Sequence, residues 1–152
     1  MNLRNFFTLK IHVEDFNLVA QKPDLLQKLR KLTLHPYSGM NHELNSLLRT
    51  VQHRKVDCKI LMGFRSRKLV GWAILTREDS DFCFRNSPNG FRSTDGSMFQ
   101  VYVHPDYRRQ GIATELIKVA RRKANGRLCI CPHDSRSQQF YANFQNYKAK
   151  EL

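Results

Sequence analysis

"VHPDYRRQGIATELIKVARRK", residues 103–123, decides how this chain is read. It follows directly on "MFQVYV" (98–103), an apolar run rich in β-branched and aromatic residues that reads as a strand and is closed off by Pro105. Two arginines, a glutamine and a glycine come next. Leu116, Ile117, Val119 and Ala120 then recur at helical spacing, which predicts a helix over 113–124. The first N–H groups of a helix have no partner inside it and carry the positive end of its dipole. Gly111 permits a tight turn and puts no Cβ between the backbone and a ligand. A phosphate or diphosphate at this bend would satisfy several N–H groups together, and Arg108 and Arg109 would add formal charge. The plain alternative is a strand-to-helix turn with solvated arginines, and charge alone does not choose between the two. Neither G-x-x-x-x-G-K-[ST] nor G-x-G-x-x-G occurs anywhere in the chain, which sets aside the two commonest phosphate loops.

Outward from this stretch, "GRLCICP" (126–132) reads as a short central strand, so 98–131 forms a strand–helix–strand unit. Upstream, "CKILMGF" (58–64) and "KLVGWAILT" (68–76) flank "RSR" as a hairpin. A first strand is expected over 6–13, a helix over 23–34 carrying Leu25, Leu26, Leu29 and Leu32, and another over 41–55 with Asn41 as its N-cap. Residues 79–97 hold dense turn signals, with Asn-Gly at 89–90 and Asp-Gly at 95–96. A last helix is expected over 134–144, leaving room for one short strand at most. With no linker, repeat or low-complexity segment, the chain reads as one α/β domain spanning 1–152.

Composition narrows the class. The chain has 152 residues, 41% hydrophobic and 26% charged, as expected of a folded protein with its own core. Its apolar runs are too short to span a bilayer, and residues 1–15 lack a signal-peptide core, so a cytoplasmic location is expected. Lys and Arg number 26 against 13 Asp and Glu, a formal net charge of +13 that attracts polyanions. Cys129, Cys131 and His133 in "CICPH" match no usual zinc spacing, and packed, reduced thiols are the simpler reading of the four cysteines, so no metal is expected.

"VYVHPDYRRQGIATELI" resembles the acyl-CoA-binding motif of the GNAT superfamily of N-acyltransferases, in which [RQ]-x-x-G-x-[GA] follows V-x-P on the fourth strand. Val103 and Pro105 supply V-x-P, and Arg108, Gly111 and Ala113 supply the loop. "CICPHDSRSQQFYANF" resembles the later family segment in which a strand leads to a helix bearing Phe-Tyr, here Phe140 and Tyr141. The resemblance implies a three-layer fold with a mixed, mostly antiparallel sheet, and acetyl-CoA as cofactor. It further implies that the amides of Arg109, Gln110, Gly111, Ile112, Ala113 and Thr114 hold the diphosphate, with Arg108 and Arg109 close by. Phe99 to Val103, including Val101 and Tyr102, would pair with the pantetheine arm, and an N–H near Val101 would polarise the thioester carbonyl. Tyr141 matches the tyrosine that protonates the departing thiolate.

No family motif marks the general base, for which Glu78, Asp81, Asp95 and His104 are candidates. Trp72 reads equally as cleft lining or core. The chain ends eleven residues after Tyr141 and has "QNY" (145–147) where the family shows Gly-Phe, so the last strand is expected to be missing. One wall of the acceptor pocket would then be absent, supplied by 79–97, or contributed by a second subunit, as in a homodimer. The function expected is acetyl transfer to a primary amine on a macromolecular or nucleic-acid-associated acceptor, such as aminoacyl-tRNA or a protein lysine. The alternatives are a small-molecule amine acceptor and a non-catalytic module that binds CoA or nucleic acid.

Overall fold

The computed structural model describes residues 8–33, 39–79 and 90–130. Its elements are β1 (Lys10–Asp15), α1 (Phe16–Val19), α2 (Pro23–Leu32), α3 (Gly39–Val51), β2 (Cys58–Arg65), β3 (Lys68–Thr76), β4 (Gly96–Val103), α4 (Ile112–Lys123) and β5 (Arg127–Ile130). The expected helix over 134–144 and any terminal strand lie outside the described residues, as do Asp81, Phe140 and Tyr141.

The strands form one mixed sheet in the order β1-β2-β3-β4-β5. The first three pairings are antiparallel, and β4 with β5 is parallel, joined through α4. The expected strand–helix–strand unit is therefore the crossover of this sheet. Alternating side chains divide the core into two layers. Ile60, Met62, Trp72, Ile74 and Tyr102 pack beneath α1, α2 and α3. Leu61, Ala73, Leu75, Phe99, Val101, Leu128 and Ile130 pack beneath Ile112, Leu116, Ile117 and Ala120 of α4.

Three local expectations change. The first strand runs Lys10–Asp15, later than 6–13, because its register is set by pairing Lys10 with Phe64 through Asp15 with Lys59. Asn41 is not an N-cap: α3 begins at Gly39, and Asn41 is buried, its Oδ1 accepting from the Thr33 hydroxyl at 2.9 Å. α1 was not expected; Asp15 caps it by accepting from Asn17 N–H at 2.8 Å. At the β2–β3 turn, Ser66 and Arg67 both adopt left-handed backbone, φ 49° and 66°, the geometry of a two-residue hairpin turn made without glycine.

Candidate active site

The bend after β4 is built for an anion. Pro105–Tyr107 make a single tight helical turn, capped by His104, whose Nδ1 accepts from the Asp106 N–H at 3.2 Å. The backbone then turns left-handed at Arg109 (φ 63°) and again at Gly111 (φ 79°), which caps α4 without any side-chain hydrogen bond. Regular helical bonding starts with Glu115 N–H to the Gly111 carbonyl at 3.1 Å. The N–H groups of Ile112, Ala113 and Thr114 precede that first bond and are left at the positive end of the helix. A Cβ at Gly111 would meet no protein atom within 4 Å, so the bend faces open space. Successive amides around left-handed residues make a concave anion site, and these residues fit a diphosphate.

The side chains around the bend are held by the protein. Arg108 Nε donates to the Val103 carbonyl at 3.1 Å, and its guanidinium lies 5.6 Å from the centre of the Tyr102 ring. Burial pushes the Tyr102 phenol up from its ordinary pKa, and Arg108 opposes that rise only in part. The Gln110 amide oxygen accepts from Arg65 of the β2–β3 hairpin. Ile112 turns its side chain into the sheet against Gly71, where a Cβ would come within 3.3 Å of it.

β4 runs from the crossover to this bend. Its parallel ladder with β5 pairs Gly96 with Arg127 through Phe99 with Ile130. Gln100–Val103 continue past the last described rung of β5 while still paired with β3 on the other side. Val101 and Val103 turn toward α4, and Tyr102 and Gln100 toward the layer under α1–α3.

Two of the candidate bases lie near the start of β4. Glu78 follows β3, and its Oε2 accepts from Arg54 Nη2 at 2.5 Å while its Oε1 accepts from the Asp57 N–H. Burial raises the Glu78 pKa, but the bonds from Arg54 and the Asp57 amide outweigh it and hold the carboxyl below its ordinary value. Asp95 closes a turn, accepting from the Arg92 N–H at 2.9 Å, and its Oδ1 stands 3.8 Å from Arg127 Nη2. From Met98, opposite Thr76, to Val103 before the bend is about 17 Å of strand. His104 lies at the bend and is occupied as a cap.

Sequence reasoning overlooked Gln100 and Glu43, two buried polar residues on the α1–α3 side of the sheet. Gln100 is fully buried in β4, and neither its amide nitrogen nor its oxygen has a hydrogen-bond partner. Trp72 is also fully buried, within the core, and its indole N–H has no partner either. Trp72 pairs with Tyr102 and Ile74 with Gln100, so the two orphaned groups are diagonal neighbours on one face. Glu43, wholly buried, shares the inward stripe of α3 with Met40, Leu44 and Leu47. The only signal for Gln100 was one amide inside the apolar run "MFQVYV" (98–103).

Among the described residues no group of three or more potential ligands could hold a metal ion, and Cys131 and His133 lie outside them. A cavity of about 710 Å³ lies at the β1–β2 side, lined by Thr8, Lys10, His12, Phe64 and Arg67 among others. No described helix is long and apolar enough to cross a membrane.

Comparison with known proteins gives the class. The profile of the Acetyltransferase (GNAT) family matches residues 26–147, and the chain belongs to that family. A search of curated proteins found no match. Among solved structures, an aminoglycoside N-acetyltransferase, AAC(6')-Iy, in complex with CoA is 17% identical with a TM-score of 0.55, covering 90% of this chain and 86% of its own. A ribosomal-protein-alanine N-acetyltransferase from Brucella melitensis biovar Abortus 2308 is 18% identical with a TM-score of 0.53, covering 90% and 89%. A predicted acetyltransferase with acetyl-CoA from Clostridium acetobutylicum is 15% identical with a TM-score of 0.52, covering 90% and 88%. At these identities the likeness is one of fold.

Proposed function

We propose that the chain is a single-domain N-acetyltransferase that transfers the acetyl group of acetyl-CoA directly to a primary amine. The observation that carries this reading is the left-handed bend at Arg109 and Gly111 opening the N-terminus of α4, with Ile112, Ala113 and Thr114 N–H groups ahead of the first helical bond. These amides would bind the cofactor's diphosphate, with Arg109 adding charge beside it. Arg108 has a different part: it clamps Tyr102 and the Val103 carbonyl, and so fixes the end of β4 from which the loop departs.

Bound acetyl-CoA supplies a thioester carbonyl activated for attack by an amine. By the family resemblance, Phe99 to Val103 of β4 would lie along its pantetheine arm. An N–H near Val101 would polarise the carbonyl. A base would take the amine's proton, and Tyr141 would donate one to the departing thiolate, as a phenol can.

For the base we add Glu43 to the candidates, because it is buried on the helix layer that covers Gln100 and Trp72. Glu78 is disfavoured because its carboxylate is ion-paired with Arg54. Gln100 and Trp72 would serve the acceptor side, where an incoming polar group or water meets donors and an acceptor without a partner among the described residues.

The acceptor we favour is an amine carried on or near a polyanion, in a cytoplasmic setting, because a net charge of +13 far exceeds what one cofactor needs. A homodimer would supply a pocket wall if one chain lacks it. The test is mass spectrometry of acceptor pools (small amines, peptides, aminoacyl-tRNA) incubated with the protein and isotopically labelled acetyl-CoA. Label on a macromolecular amine supports the proposal in full, and label on small amines alone removes its acceptor half. No transfer to any pool, with CoA still bound, favours a binding module.

A further inference from the structure

The hairpin tip between β2 and β3 carries charge that no described acidic residue offsets. Arg65 ends β2, Arg67 sits in the turn, and Lys68 begins β3. Arg65 reaches the diphosphate loop and donates to the Gln110 side chain, although 45 residues separate them. The Arg65 Nε–H is buried and has no acceptor. Lys68 Nζ lies 5.7 Å from the centre of the Tyr107 ring, in the turn that leads into the same loop. Arg109 adds an exposed guanidinium on the loop itself.

Among the described residues, Arg65, Arg67, Lys68 and Arg109 form no ion pair. Elsewhere some cations do pair with carboxylates: Lys22 with Glu14, Arg54 with Glu78, Lys118 with Glu115 and Arg127 with Asp95. The acid in the neighbouring turn, Asp106, is highly exposed and turns to His104 at 3.7 Å. Arg65 and Lys68 approach the loop that carries Arg109, and three such cations repel each other unless an anion joins them.

In the proposed reading, the coenzyme's diphosphate would engage the main-chain amides of the loop. The hairpin cations stand to the side of those amides, on a different element, so they suit a further phosphate. Coenzyme A carries one, the monoester on its ribose 3′ oxygen, with nearly two negative charges at neutral pH. We infer that the β2–β3 hairpin tip, through Arg65 and Lys68, binds the 3′-phosphate of the coenzyme and makes the protein select CoA over its 3′-dephospho form. The inference rests on the coenzyme reading given above and adds a phosphate subsite from outside the family motif. Arg65 has a second part in it: through Gln110 it ties the hairpin to the loop, so that the two phosphate sites keep a fixed separation.

Calorimetric titration of the whole chain with CoA and with 3′-dephospho-CoA separates the outcomes. The wild-type protein should bind CoA at least about tenfold more tightly, a preference that shrinks as salt rises from roughly 50 to 300 mM. The double variant R65Q/K68Q should lose that preference by weakening CoA binding, with 3′-dephospho-CoA affinity within about twofold of wild type. The single variant Lys68→Gln, at an exposed position, keeps the test open if the double variant misfolds; it should lose part of the preference. Equal affinity of wild-type protein for both ligands overturns the inference and leaves the coenzyme reading standing. So does a variant that weakens both ligands alike. Failure of both ligands to bind overturns the coenzyme reading, and this one with it.

Discussion

A Cβ placed on Gly96 would lie 1.9 Å from the Arg127 carbonyl oxygen and 2.6 Å from its nitrogen. These two residues form the first rung of the parallel β4–β5 ladder, so backbone passes against backbone where the crossover closes. Gly96 also has φ 153°, which side chains rarely adopt. Gly96→Ala should therefore cost about 3 kcal/mol or more of folding stability, through clash and strain that no side-chain movement relieves. Urea denaturation checks this; a loss below about 0.5 kcal/mol would mean that the strands separate there without cost.

The Glu78 carboxyl is held below its ordinary pKa because Arg54 and the Asp57 amide outweigh burial. A depressed carboxyl contributes stability above its unfolded pKa, near 4.5, and that contribution is lost as pH falls through the folded value. Glu78→Gln should cost about 1–2 kcal/mol at pH 7 and flatten the fall in thermal midpoint below pH 4.5, seen in paired melts from pH 3 to 7. Turnover with a working acceptor should stay within about threefold; a hundredfold loss would make Glu78 the base after all.

Gln100 is fully buried with both amide atoms unpartnered. Removing an unsatisfied buried amide recovers its desolvation cost, so Gln100→Leu should raise stability by about 1 kcal/mol. On the acceptor side it should lower kcat/KM for the acceptor about tenfold or more while CoA affinity holds. Lower stability would show that the amide is bonded in solution. Unchanged kinetics would remove it from the acceptor site.

Gly111 has φ 79° and open space where a Cβ would stand. Gly111→Ala therefore meets no clash, and its folding cost should be only about 1–2 kcal/mol of left-handed strain. CoA affinity should fall further than that, about tenfold or more, because the cradle relaxes or the methyl crowds the diphosphate. Stability and CoA affinity that both match wild type would show that the bend does not depend on its glycine.

Where periodicity was strong, the sequence was a good guide. "MFQVYV" (98–103), the spacing of Leu116, Ile117 and Ala120, and "RLCI" (127–130) lead directly to β4, α4 and β5, since each follows from a single hydrophobic period. The bend was legible from Gly111, though the left-handed Arg109 was not, because no residue type announces it. The same holds for Ser66 and Arg67, whose turn lacks the usual glycine. β1 slid because "NFFTLKIHVED" (5–15) alternates imperfectly and its bounds are set by pairing with β2, a contact across nearly 50 residues. The partners of Glu78, the orphaned amide of Gln100 and the burial of Glu43 are all long-range facts, and one chain of letters does not carry them. Tyr141 and Phe140, read from the family resemblance, lie outside the described residues.

The central claim is that main-chain amides at the start of α4 grip the cofactor's diphosphate. The most direct measurement is the backbone ¹H–¹⁵N spectrum of the protein titrated with CoA. The account predicts that the amides of Arg109, Gln110, Gly111, Ile112, Ala113 and Thr114 shift most and saturate together. Saturable CoA binding that leaves these six resonances in place, or no binding at all, would contradict it.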